Sequence, residues 1–184
     1  MFIIKSMKSI LVYCSANDLQ EKYTKPAIEF GKLIAENNYS LVWGGSNTGL
    51  MKVMADTVQE NGGNIIGVSV EFLKWKAREN ADEMIIAKDL SERKAMMLER
   101  GDAIIVLPGG IGTLDEVTET IEHKKHKHHT KPIVFLNSDN FYEGLKIQFQ
   151  KMYDDGFLTH TIEEIVFFAD TPREAIDYIN KELA

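Results

Sequence analysis

The sequence predicts an α/β protein built on a mostly parallel sheet, and three observations carry that prediction. Short apolar runs rich in β-branched residues, such as Ser9–Cys14 and Ala103–Leu107, lack the in–out alternation of a half-exposed strand, so both faces must be covered. Stretches with apolar residues at helical spacing separate these runs. Two glycine-rich turns, after Trp43 and after Leu107, each follow a strand-like run and open a helical one.

Taken in order, Ser9–Cys14 forms a buried strand. Gln20–Asn37 forms a helix whose apolar stripe is Tyr23, Ala27, Phe30, Leu33 and Ile34. Pro26 is expected in its first turn, and Asn37-Asn38 ends it. Ser40–Trp43 is a second strand. Asn47 or Thr48 is expected to cap the next helix, which Gly62-Gly63 stops. Asn64–Val70 is a third strand, and Glu71–Asp82 has no regular pattern beyond a short helix and a loop. Glu83–Ala87 is a strand, Leu90–Arg100 a helix, and Ala103–Leu107 a fifth strand that runs into the second glycine turn. After the helix that opens near Thr113 come a strand at Pro132–Leu136, a helix at Phe141–Asp154 and a last strand at Ile165–Phe168. Thr171-Pro172 then supplies a cap and a first-turn proline for the final helix.

This alternation specifies a Rossmann-like three-layer α/β/α sandwich of about six to seven strands. The 184 residues are expected to form a single domain, 1–184, with 1–8 as an N-terminal extension. A formal charge of −7 argues against a nucleic-acid surface. Cys14 is the only cysteine, so no internal disulfide can form and a reducing, cytoplasmic setting is expected. Met1-Phe2-Ile3-Ile4 has no signal-peptide layout, and no apolar run reaches bilayer length, so no membrane partner is expected.

In a parallel sheet, ligands sit beyond the carboxyl ends of the strands, where both glycine turns fall. Gly109, Gly110 and Gly112 let backbone N–H groups approach a ligand. The helix opening at Thr113 adds unpaired donors and a partial positive charge, which together suit a phosphate. Glu116 lies about one turn into that helix, either as a functional carboxylate or as a plain complement to the dipole. Gly44-Gly45-Ser46-Asn47-Thr48-Gly49 has the glycine spacing of a P-loop but continues Leu50-Met51, without the lysine and hydroxyl that bind triphosphate and magnesium. Asp115 stands where a dinucleotide fingerprint needs its third glycine, which argues against a bound NAD. The run from His123 to His129 interleaves lysines that repel a cation, so a solvated or interface-facing helix end is expected there rather than a metal site.

Pro108-Gly109-Gly110-Ile111-Gly112-Thr113-Leu114-Asp115-Glu116 resembles the Pro-Gly-Gly-x-Gly-Thr-x-x-Glu signature of the LONELY GUY (LOG) family of nucleoside 5′-monophosphate phosphoribohydrolases, often labelled lysine decarboxylases. Glu92-Arg93-Lys94 with Met97 matches the family's second motif, and Trp43-Gly44-Gly45 with Gly49-Leu50-Met51 a third. The resemblance runs from about Ile10 to Phe168. It implies hydrolysis of the N-glycosidic bond of a cytokinin riboside 5′-monophosphate or AMP, giving free base and ribose 5-phosphate. It also implies Arg93 and Glu116 as catalytic residues, with Lys94, Gly45 and the stretch Gly109, Gly110, Ile111, Gly112 and Thr113 binding substrate. No metal or cofactor is implied, and the partners are a small nucleotide and a second copy of the chain.

Three departures stand out. The family's Trp-x-Gln-Leu-Gly-x-His-x-Lys-Pro segment keeps only His129, Lys131 and Pro132 here, which puts base preference and dimer geometry in question. Cys14-Ser15-Ala16-Asn17 replaces Cys-Gly-Ser-Ser, and a substrate-binding Glu of the family falls near Ala77. The competing expectation is a non-catalytic carrier of a nucleotide or of molybdenum cofactor on the same fold, to which the Arg93/Glu116 pair would be superfluous. A lysine decarboxylase would need pyridoxal phosphate, for which the sequence offers only an anion site.

Overall fold

A computed structural model describes residues 7–184; the apolar group Met1–Ile4 and most of the expected extension lie outside the described residues. Seven strands form one sheet: β1 (Ser9–Tyr13), β2 (Ser40–Trp43), β3 (Ile65–Val70), β4 (Glu83–Ala87), β5 (Ala103–Val106), β6 (Ile133–Leu136) and β7 (Phe167–Ala169). Their order is β4-β3-β2-β1-β5-β6-β7, and every pairing is parallel. The expected Rossmann-like α/β architecture is therefore present, with a sheet parallel throughout.

Six helices cover the two faces: α1 (Glu21–Glu36), α2 (Gly49–Glu60), α3 (Leu90–Arg100), α4 (Ile111–Lys125), α5 (Glu143–Asp154) and α6 (Pro172–Glu182). Ile10, Val12, Leu41, Trp43 and Ile105 pack with α1, α2 and α6 through Phe30, Ile34, Met54 and Ile176. The alternate positions Leu11, Tyr13, Val42, Ile104 and Val106 pack with α3, α4 and α5 through Met97, Val117 and Phe149. Both faces of each central strand are thus buried, which is why these runs show no polar alternation.

Three local expectations need correction. Pro26 lies in the second turn of α1, not the first, because the helix opens at Glu21. The fold accepts a missing N–H there because Ala27, Phe30 and Ile34 still bury the apolar face. Thr48 occupies the N-cap of α2 but its side chain does not cap; its hydroxyl pairs with Ser46 Oγ at 2.9 Å and donates to the Ala16 carbonyl at 3.2 Å. Short 3-10 turns at Ser138–Asn140 and Ile162–Glu164 push α5 to start at Glu143 and β7 to start at Phe167. Thr171 does cap α6, accepting from Glu174 N at 3.1 Å.

Chain order reverses between the neighbours β1 and β5, so the helices that follow them leave on opposite faces and open a crevice. Residues 14–17 after β1 and 110–113 after β5 line a cavity of about 350 Å³ at that point.

Candidate active site

A largely shielded ion pair, its side chains 12% and 9% exposed, lines the cavity. Asp89 caps α3 by accepting from Glu92 N at 2.9 Å, and Glu92 Oε2 accepts from Lys88 N at 2.7 Å. This fixed helix start holds Arg93 in the first turn of α3, at the carboxyl edge of the sheet. Arg93 donates from Nη1 to Glu116 Oε1 at 2.8 Å, from Nε to the Val68 carbonyl at 2.8 Å, and from Nη2 to the Gly44 carbonyl at 3.3 Å. Glycine at position 44 leaves room for this guanidinium, since a Cβ there would sit 2.0 Å from Arg93 Nη2 and push it aside.

Glu116 is 7% exposed. Loss of solvent pushes its carboxyl above the ordinary glutamate range, and the Arg93 charge and hydrogen bond pull the other way without cancelling the shift. The result is a carboxylate that accepts a proton more readily than a surface glutamate would.

One wall is the start of α4. The N–H groups of Ile111, Gly112 and Thr113 find no acceptor among the described residues; the first bond at this end is Leu114 N to the Gly110 carbonyl, at 3.1 Å. Thr113 is buried and leans on Gly109, where a Cβ would lie 2.1 Å from its hydroxyl oxygen. Gly110 and Gly112 face open space. Three unpaired donors at a helix N-terminus beside a cavity form a site complementary to an anion.

Among the residues singled out in the sequence, Arg93, Glu116, Gly110, Ile111, Gly112 and Thr113 all line this cavity. Gly109 and Gly45 do not. Gly109 makes room for Thr113, and Gly45, at φ +74°, lies against Ser69 and Met84. Lys94 turns to the other side of Glu116, donating to Asp115 at 2.9 Å and contacting Glu119. There it lines a second cavity of about 300 Å³ with Glu116, Glu119, His123, His128, His129 and Lys131. The His run ends α4, as expected of a partly solvated helix end. His126 pairs with Glu122 at 2.9 Å, and His129 Nε2 donates to the Thr120 carbonyl at 3.1 Å.

Sequence reasoning missed Ser15, Asn17, Ser46, Ser69, Leu73 and Lys76, which also line the first cavity. They are brought there by strand ends and by a 3-10 turn at Glu71–Lys76, and no local pattern marks them.

A doubly wound parallel sheet with a buried acid–arginine pair beside an open helix terminus at its switch point defines the class: an α/β protein equipped to act on a small anionic ligand. Comparison with known proteins narrows it. Residues 51–179 match the family described as "Possible lysine decarboxylase". The Mycobacterium tuberculosis cytokinin riboside 5′-monophosphate phosphoribohydrolase is 34% identical, over 91% of this chain and 91% of that protein. An Arabidopsis thaliana protein named "Probable cytokinin riboside 5′-monophosphate phosphoribohydrolase LOG6" is 36% identical, over 91% of this chain and 85% of that protein. The chain belongs to this LOG family. The molybdenum cofactor binding protein of Rippkaea orientalis superposes with a TM-score of 0.77 at 23% identity, over 98% of this chain and 99% of that one, a likeness of fold alone.

Proposed function

We propose that the chain hydrolyses the N-glycosidic bond of a nucleoside 5′-monophosphate, a cytokinin riboside 5′-monophosphate or AMP, to free base and ribose 5-phosphate. The observation that carries this is the buried Arg93–Glu116 pair set beside three unpaired N–H groups at the start of α4. The family relationship supplies the reaction class.

The bond from C1′ to the base breaks through a transition state with cationic character at the sugar. Glu116 supplies the opposing charge and takes the proton of the water that attacks C1′; the base departs with the electron pair of the broken bond and takes up a proton, and Glu116 releases its own to complete the cycle. Its raised proton affinity suits it to that second task. Arg93 holds the carboxylate in place and favours its ionised form against the cost of burial, while its long bond to Gly44 leaves Nη2 able to turn toward ligand. The N–H groups of Ile111, Gly112 and Thr113 anchor the 5′-phosphate, and that remote binding energy positions the sugar. Gly109 and Gly45 act as spacers that shape the two turns. Lys94 acts from the far side of Glu116, with a share in ordering Asp115 and Glu119.

The working unit is a single-domain chain that pairs with a second copy, in the cytoplasm. Among the described residues no helix is long and apolar enough to cross a membrane.

Incubation with AMP and isopentenyladenosine monophosphate, each beside its dephosphorylated nucleoside, tests the proposal with free base read by chromatography. Base from the monophosphates only is the expected result. No base from any of the four would overturn it in favour of a carrier.

A further inference from the structure

A nucleotide phosphate brings close to two negative charges into the cavity, yet the acid–arginine pair that lines it sums to zero. Arg93 is occupied by Glu116, Val68 and Gly44. The other cationic side chain on the lining is Lys76. Among the described residues it makes no ion pair and donates no side-chain hydrogen bond; its ammonium rests 4.8 Å from the centroid of the Trp75 ring, which is 75% exposed.

Lys76 is also firmly placed. It ends the 3-10 turn that follows β3, and its carbonyl accepts from Asn47 N at 2.8 Å. Ala77 bridges Ser46 in antiparallel fashion, and Arg78 N donates to the Gly45 carbonyl at 2.9 Å. The Arg78 side chain, 7% exposed, bonds Asp56 at 2.6 Å, Asn47 at 3.0 Å and Gln59 at 2.7 and 3.0 Å. The turn is thus clamped to α2 and to the Gly44–Thr48 loop, which sets Lys76 on the rim shared by this cavity and a neighbouring one lined by Trp75, with no carboxylate on its ammonium among the described residues.

We propose that Lys76 is the cation that pairs with the 5′-phosphate, opposite the N-terminus of α4, with Arg78 as the positioning residue that holds it there. This rests on the nucleotide reading of the cavity, and it adds a specificity determinant for a phosphorylated sugar. An ammonium that leaves an aromatic ring for a phosphate gains a stronger partner, and a cavity screens that attraction less than open water does.

The test is calorimetric titration of wild type, Lys76→Met and Lys76→Arg with ribose 5-phosphate and with ribose, alongside Trp75 emission. Ribose 5-phosphate is a product, so no turnover complicates the reading. Wild type is expected to bind it well ahead of ribose, with a change in Trp75 emission as the ammonium departs. Lys76→Met should weaken it by roughly 10- to 100-fold without affecting ribose, and Lys76→Arg should recover part of the loss. Equal affinity of Lys76→Met and wild type for ribose 5-phosphate, or no preference of wild type for ribose 5-phosphate over ribose, would overturn the proposal. If binding depends on Lys76 while no nucleotide yields free base, the hydrolase reading fails and this one stands.

Discussion

Two glycine turns flank the end of β1 at the carboxyl edge of the sheet, one after β2 and one after β5, and they use glycine for opposite ends. In the turn before α2 the glycines permit contact. A Cβ on Gly44 would strike Arg93, and one on Gly49, at φ +57°, would lie 2.3 Å from the Ala16 carbonyl. The helix terminus behind that turn is closed, since Leu50 N and Met51 N donate to the Asn17 and Ser15 carbonyls. In the turn before α4, Gly110 and Gly112 face open space and the terminal donors have no acceptor among the described residues. A glycine-rich strand–helix turn is therefore not a ligand site by composition. What separates the two is whether the chain itself already satisfies the helix end.

The sharpest way to break the comparison is at the carboxylate. Glu116→Gln should cut base release by roughly 10³-fold with the fold intact, measured by single-turnover chromatography beside a melting curve. Gly44→Ala should cost roughly 10²-fold in kcat, because the new methyl displaces Arg93 and leaves Glu116 buried without its partner. Gly49→Ala should act on stability instead, lowering it by roughly 2–4 kcal/mol in denaturant titration, since strain and overlap with Ala16 combine.

A pH profile sharpens the same contrast. In the proposed mechanism the ionised carboxylate does the work, so the acid limb of kcat should fall at a higher pH than an ordinary glutamate would give. The folded state holds that proton more tightly than the unfolded chain. Stability owed to this group is therefore present at low pH and lost as pH rises from the ordinary glutamate range through the raised value. Glu116→Gln should remove that component of the pH dependence. The smallest effect is expected at Gly112. Alanine there should leave stability unchanged or up to about 1 kcal/mol higher, while raising KM for the monophosphate by roughly tenfold through the methyl it adds to the ligand face.

Most of the sheet was legible in the sequence because its strands are continuous apolar runs bounded by glycine, asparagine or proline. Arg93 and Glu116 were legible only as members of motifs, since 23 positions separate them and nothing in spacing joins them. Lys94 illustrates the limit: adjacency to Arg93 suggested a shared site, yet successive helical residues point about 100° apart, and the two lysine and arginine heads reach opposite sides of Glu116. The Glu71–Asp82 stretch was opaque for a different reason. Its order comes from Asn47, Asp56 and Gln59 on distant segments through Arg78, and not from any repeat of its own.

The three acceptors of Arg93 belong to the residue just after β2, to β3 and to α4, segments spread over much of the chain. Its guanidinium acts as a registration pin that seats only when those parts have already met. Long loops must close first, so competence should be among the last properties regained on refolding, after helix content and compactness. A nascent chain that has not yet delivered α4 holds the arginine without its counterion, and on the proposed mechanism it should be inactive.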